Sequence, residues 1–145
     1  MNYGVLLVLY AKAIMKMLKG ATNTLSWIDD RLAVGDEVDA RLYASVHEMD
    51  IVFVIDVRSH FSGVEMIPLP SVVKFADSLV ELTKLGKVLV HCQAGIDRSP
   101  FVAMLYYAIK YNCSYEHAYD AVASKRPQTF IHYDWIKLID KYETS

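Results

Sequence analysis

The chain alternates short β-branched apolar runs with longer stretches in which apolar residues return every three or four positions. The first pattern marks strands and the second amphipathic helices. Ile51-Val52-Phe53-Val54-Ile55 is a continuous run, the pattern of a strand buried on both faces. Residues 87–91 form a second buried strand. A short strand is expected within 27–34, followed by a Gly35-Asp36 turn, and a weaker one over 64–69. Helical spacing predicts a helix over 40–49, with Leu42, Val46 and Met49 on one face. Pro70-Ser71 opens another, lined on one side by Val72, Phe75, Ala76, Leu79 and Leu82 and stopped by Gly86. Further helices are expected over 99–111, from a Ser114 cap to about Ser124, and over 134–143. Strands alternating with helices predict an α/β fold with a central, mainly parallel sheet flanked by helices.

The first twenty residues stand apart. The apolar run 5–9 is far shorter than the roughly 20 residues that span a bilayer. Lys12, Lys16 and Lys19 follow that run, whereas a signal peptide carries its positive charge in front. Residues 1–20 read as an extra N-terminal amphipathic helix, over 3–19, packed on a domain formed by 21–145. Attachment to a membrane surface is the alternative reading.

Composition narrows the function classes. A chain of 145 residues that is 54% apolar has the size and content of one folded domain. A formal net charge of -2, without a long run of one sign, argues against a nucleic-acid binder. Cys92 and Cys113 are too few for a disulfide framework. His60, His117 and His132 show no ligand spacing, so neither metal nor cofactor is expected. A reducing, cytoplasmic setting fits this cysteine usage. The oligomeric state is not legible.

The chemistry concentrates in His91-Cys92-Gln93-Ala94-Gly95-Ile96-Asp97-Arg98-Ser99-Pro100, between an expected strand and an expected helix. Ligands of α/β sheets bind beyond the carboxyl ends of the strands. A loop there aims backbone N–H groups at one point, with a helix N-terminus behind it, and such a nest holds a phosphate. Gln93, Ala94, Gly95, Ile96, Asp97 and Arg98 would form it. The same donors favour Cys92 as a thiolate nucleophile. Arg98 can return its planar fork to two phosphate oxygens. Gly95 allows a left-handed turn, Ser99 can donate to the sulfur, and His91 can orient the loop through backbone contacts. The bland alternative makes Cys92 a small buried hydrophobe and Arg98 a surface cation. Cys113, in a polar turn with no activating neighbour, reads as structural.

This segment resembles the Cys-x5-Arg signature of the protein tyrosine phosphatase superfamily, and Ala94-Gly95 with Arg98-Ser99-Pro100 is most similar to the dual-specificity phosphatases. The likeness extends over about residues 26–143. Ile28-Asp29-Asp30-Arg31-Leu32-Ala33-Val34-Gly35 resembles their opening strand segment, and Ile55-Asp56-Val57-Arg58 their second strand and its exit. Residues 114–118 with Arg126-Pro127 resemble the helix and turn after the signature. The resemblance implies a phosphatase that attacks phosphate monoesters through a phosphocysteine, with phosphotyrosine, and phosphoserine or phosphothreonine, in a protein or peptide as substrate.

One departure concerns the acid that protonates the leaving oxygen, worth about a hundred- to ten-thousandfold. The family places an Asp on a loop ahead of the nucleophile. Here Met66-Ile67-Pro68-Leu69 runs into Pro70-Ser71-Val72 with no Asp. Asp97 can substitute, in a position that resembles the phosphate loops of the myotubularin and Sac-type phosphoinositide phosphatases, or it can turn away and pair with a neighbouring base. Asp56 is a second candidate, with a strand-end carboxylate satisfied by backbone donors as its plainer reading. Glu65, Asp77 and Glu81 read as solvent-facing. Arg58 either lines the cleft or sits on the surface. Gln128 and Thr129 lie in a loop that can approach the site and place water. Tyr106, Tyr107 and Tyr111 read as helix packing with hydroxyls at the surface. Two other functions remain open: a phosphatase of a phosphoinositide or nucleotide, and a phosphate-binding module with weak catalysis. Gln93, Ala94 and Ile96, which carry no positive charge, count against polyphosphorylated lipids.

Overall fold

The computed structural model describes residues 4–7, 10, 25–42 and 49–144. Residues 4–7 and 10 are helical; the rest of the expected helix over 3–19 lies outside the described residues. Four strands, β1 (Ser26–Trp27), β2 (Leu32–Gly35), β3 (Ile51–Asp56) and β4 (Lys87–His91), form one sheet in the order β1-β2-β4-β3. β4 runs parallel to both β2 and β3, and β1 is antiparallel to β2. The strand expected within 27–34 is therefore a hairpin. Asp29 makes it turn, because its Oδ1 accepts from the N–H groups of Arg31 and Leu32, each at 2.9 Å. Gly35 is the last residue of β2, and Asp36 caps the helix that follows.

β3 corrects a second expectation. It is an edge strand of the described sheet, and Val52 and Val54 are 64% and 41% exposed, so it is not buried on both faces along its length. A bulge near its start sets Ile51 opposite Lys87 and Phe53 opposite Val88. The extra residue flips the side-chain alternation. Ile51 accordingly packs with Ala33 and Leu89 on one face of the sheet, while Phe53 and Ile55 pack against the main core on the other. Residues 64–69 form no strand; only Phe61 and Pro68 bridge. Pro68 lacks an N–H to extend a ladder, and Met66 takes a left-handed turn with φ of 57°.

Beyond residues 4–7 and 10, the helices among the described residues are α1 (Glu37–Arg41), α2 (Ser71–Leu82), α3 (Arg98–Tyr111), α4 (Tyr115–Lys125) and α5 (Tyr133–Thr144), with a 3-10 turn at Arg58–His60. A helix starts at Glu37, ahead of the one expected over 40–49. Asp36 and Asp39 side chains each accept the other's backbone N–H, at 2.7 and 2.9 Å, which nucleates α1 where apolar spacing gives no signal. Leu42 already leaves the helix, and 43–48 lie outside the described residues. α2 buries Val72, Ala76 and Leu79 as its spacing predicts. Ser114 caps α4 through the His117 N–H, 3.1 Å away. α3 is the central helix, covering β2 and β4 and flanked by α2 and α4. Every residue from Ser99 to Tyr106 on it is buried, so its first turn, which faces the active loop, cannot shift without disturbing the core.

Asp29 links the hairpin to α3. Its Oδ2 accepts from Tyr106 and Tyr111 hydroxyls at 2.9 and 2.8 Å and from Lys110 Nζ at 2.8 Å. Tyr106 is thus buried with its hydroxyl paired, not set at the surface. Burial pushes the Asp29 carboxyl up, but Lys110, the Arg31 N–H and the two tyrosines outweigh it and hold it below its ordinary 3.8. Such a carboxylate stabilises the fold above the unfolded-state value and loses that contribution as pH falls through the lower folded value. Asp29→Asn should therefore lower urea stability by about 2–3 kcal/mol at neutral pH. The gap from wild type should close progressively below pH 3.8.

Candidate active site

The parallel register brings Gly35, His91 and Asp56 level at the carboxyl ends of β2, β4 and β3. The chain leaves β4 at His91, makes the loop 92–97, and enters α3 at Arg98. The loop's carbonyls are taken by the surrounding scaffold. Val57 N–H donates to His91 O at 2.9 Å, Glu37 N–H to Gln93 O at 3.0 Å, and Phe130 N–H to Ile96 O at 2.9 Å. Arg126 Nε donates to Gly95 O at 2.7 Å. Turning carbonyls outward leaves N–H groups for the concave side, where Gly95 N–H points at Cys92 Sγ, 3.3 Å away.

Two residues keep the loop in this shape. Gly95 has φ of +66°, and a Cβ there would lie 2.7 Å from Gly35 O and 2.6 Å from Arg126 Nη2, so no other residue fits. Arg126 is fully buried. Besides Gly95 O, its Nη1 reaches Ser26 Oγ at 3.0 Å and Val34 O at 3.3 Å, pinning the loop to the hairpin. Burial pushes its guanidinium down, opposed by the charges of Asp36 and Cys92.

Cys92 is 2% exposed, at the floor of the loop. Burial pushes its thiol up. The Ser99 hydroxyl and N–H, the Gly95 N–H and the Arg98 charge outweigh burial and leave it below its ordinary value. Ser99 Oγ lies 3.3 Å from Sγ and 3.5 Å from Gly35 O. Its one proton goes to the sulfur once that is a thiolate, the stronger acceptor. His91 is buried, with Nδ1 3.3 Å from Cys92 O. Arg98 Nε is buried with no hydrogen-bond partner among the described residues. A buried donor of this kind is costly, and an oxyanion in the loop would satisfy it.

The candidate acids separate clearly. Asp56 is clamped by Arg58, whose Nε donates at 3.0 and 2.9 Å and Nη2 at 2.6 Å. That bond, outweighing partial burial, holds the Asp56 carboxyl below its ordinary value. Asp97 ends the loop, and its Oδ1 is 2.7 Å from His132 Nε2. Gln93, Ala94 and Ile96 are exposed at the rim. Phe130, bonded to Ile96 through its backbone, is exposed beside them. Thr129 Oγ1 is buried without a hydrogen-bond partner among the described residues. Glu65, Asp77 and Glu81 are exposed. Cys113 is a free, half-buried thiol packed against the core, away from the loop. Among the described residues there is no group of three or more His, Cys, Asp or Glu that could hold a metal, and no helix long and apolar enough to cross a membrane.

Sequence reasoning missed two site residues, Arg126 and His132. The first has a place only in the turn after the helix 114–124, and its contact with Gly95 O, 31 positions away, reveals its role. The second has no metal-ligand spacing, and only its contact with Asp97, 35 positions away, reveals its role.

Ser99→Ala tests the electrostatics of the Cys92 thiol. Alkylation of wild-type Cys92 by iodoacetamide should show a pH midpoint below 9.0. In Ser99→Ala that midpoint should rise, and turnover should slow about tenfold, the worth of one hydrogen bond to a charged group. An unchanged midpoint would remove Ser99 from the thiolate's support.

Comparison with known proteins agrees with this geometry. Human dual specificity protein phosphatase 5 is 32% identical over 89 residues, 61% of this chain and 21% of that protein. MAP kinase phosphatase with leucine-rich repeats protein 2 of Dictyostelium discoideum is 31% identical over 58 residues, 40% of this chain and 8% of that protein. The chain thus spans about a fifth or less of the length of these two curated relatives. A leucine rich repeat and phosphatase domain containing protein from Entamoeba histolytica shares the fold, with a TM-score of 0.71 at 16% identity over 85% of this chain and 92% of that one. Residues 28–145 match the family model for the dual specificity phosphatase, catalytic domain. With that match over most of its length, and with the strand–loop–helix geometry of Cys92 and Arg98, the chain belongs to the dual specificity phosphatase catalytic-domain family.

Proposed function

We propose that the chain is a cysteine-dependent phosphatase that hydrolyses phosphate monoesters in proteins or peptides, phosphotyrosine first and phosphoserine or phosphothreonine with it. The observation that carries this reading is Cys92 Sγ on the floor of the loop, held by Ser99 and the Gly95 N–H, with the buried Nε of Arg98 unmatched beside it. The thiolate attacks phosphorus, the Sγ–P bond forms as the bond to the leaving oxygen breaks, and that oxygen takes a proton from Asp97. Water then attacks phosphorus, gives its proton to the Asp97 carboxylate, and releases Cys92, whose departing charge Ser99 stabilises. Arg98 and the loop N–H groups hold the phosphoryl oxygens in both steps. Asp97 is assigned as acid because it ends the loop with Oδ2 open, whereas both Asp56 oxygens are engaged by Arg58.

The rim supports a single phosphate as the recognised charge. Gln93, Ala94 and Ile96 carry no cation, Arg58 is already paired with Asp56, and Ile96 and Phe130 give the loop an exposed apolar side. A free catalytic thiolate belongs in a reducing compartment, so we assign the protein to the cytoplasm.

Turnover of phosphotyrosine and of 4-nitrophenyl phosphate tests the reading. Cys92→Ser should abolish both while still binding vanadate. Arg98→Lys should weaken vanadate binding and slow both, since a point charge cannot replace a planar fork. Asp97→Asn should slow phosphotyrosine by about a hundredfold or more and nitrophenyl phosphate, with its good leaving group, far less. Asp56→Asn should leave the ratio of the two rates unchanged. Wild-type levels of turnover in Cys92→Ser would refute the assignment. Vanadate binding by the wild type without turnover would favour a binding module.

A further inference from the structure

Asp97 occupies the N-cap of α3, with φ of -113° and ψ of -69°, yet its side chain makes no capping hydrogen bond. An aspartate there ordinarily accepts the N–H of the second or third helical residue and stabilises the helix by about 1 kcal/mol. In this protein the carboxylate forgoes that bond and gives Oδ1 to His132 Nε2 at 2.7 Å. No described residue hydrogen-bonds its Oδ2, and the side chain is 40% exposed. One oxygen is anchored and the other is left open.

The anchor is itself rigid. The His132 ring stacks on Trp135, with centroids 3.6 Å apart and planes 6° from parallel, and Trp135 belongs to the buried core. The Phe130 ring lies 4.7 Å from the imidazole. The His132 backbone N–H donates to Tyr119 OH at 3.2 Å. A ring fixed this way can point Nε2 in one direction only. The contact is not needed to hold the loop's backbone, because Phe130 N–H already binds Ile96 O and Arg126 Nε already binds Gly95 O. What His132 controls is the Asp97 carboxyl.

Building on the reading of Asp97 as the acid, we propose that His132 is its positioning residue: the neutral imidazole donates from Nε2 to Oδ1 and so presents Oδ2, which carries the transferable proton, to the leaving oxygen. In the first step the Oδ2 proton passes to the oxygen whose bond to phosphorus breaks, while Sγ–P forms. The carboxylate left behind stays bonded to His132, then takes one proton from the attacking water, so the pair ends each turnover as it began. His132 itself gains and loses no proton. The titratable groups facing the imidazole are Asp97 from the loop, Asp134 of α5, 3.8 Å from Nδ1, and Tyr119 of α4 through its hydroxyl. A carboxylate fixed in the loop by an aromatic-backed histidine replaces the acid that the shortened segment before Pro70 does not supply.

The experiment compares His132→Phe, which keeps an aromatic ring for Trp135 but removes the donor, with His132→Gln, which restores a side-chain N–H at similar reach. His132→Phe should lower kcat on phosphotyrosine about ten- to hundredfold and on 4-nitrophenyl phosphate by about threefold at most. Vanadate affinity should stay at the wild-type value. His132→Gln should recover most of the loss. The double variant Asp97→Asn/His132→Phe should be no slower than Asp97→Asn alone. Equal slowing of the two substrates, loss of vanadate binding in both variants, or additive effects in the double variant would overturn the proposal and make His132 a structural tie. Absence of Cys92-dependent turnover in the wild type would instead refute the phosphatase reading, and this inference with it.

Discussion

The buried guanidinium of Arg126, bonded to Gly95 O, is the contact on which the site's shape depends. A backbone loop can present its N–H groups to an anion only if its carbonyls find partners elsewhere. Arg126 takes the one at Gly95, and backbone N–H groups of Glu37, Val57 and Phe130 take those of Gln93, His91 and Ile96. Each tether comes from a different part of the fold: the start of α1, the end of β3, and the segment before α5. The inward-facing donors that follow make a buried thiolate tolerable at Cys92, which burial alone would disfavour. Fold and chemistry are thus joined through backbone carbonyls, not through direct side-chain contacts with the nucleophile alone.

The hairpin and the central helix supply the stiffness behind this arrangement. Asp29 fastens β1–β2 to the far end of α3 through Tyr106, Lys110 and Tyr111. Arg126 fastens the same hairpin to the loop at the near end. α3 is held at both ends and is buried along its first two turns. Ser99 and Arg98, carried on its first turn, have fixed positions relative to the sulfur, as charge stabilisation without reorganisation requires.

Much of this was legible in the sequence. β4, α2, α3 and α4 appear nearly where apolar spacing and capping residues put them, because those elements are buried by continuous local patterns. The expectations for Cys92, Arg98, Gly95 and Ser99 come from a motif that is local as well, and the structure places the Ser99 hydroxyl and the Gly95 N–H at the Cys92 sulfur. The misreadings occur where non-local geometry or polar chemistry decides. α1 is nucleated by the reciprocal Asp36–Asp39 bonds, and the bulge in β3 turns Ile51 to the other face. Arg126 and His132 act across 31 and 35 positions, and no window of sequence contains both partners. Position alone leaves the direction of the Asp97 side chain open; the structure places its Oδ1 2.7 Å from His132 Nε2.

The central claim is that this geometry makes Cys92 a nucleophile that carries the phosphoryl group. Rapid quenching during turnover of phosphotyrosine, followed by peptide mass spectrometry, tests it directly. The account predicts a phosphoryl adduct on the peptide containing Cys92, absent from Cys113 and absent throughout the Cys92→Ser variant. Sustained turnover with no adduct on Cys92, or an adduct on another residue, would contradict it.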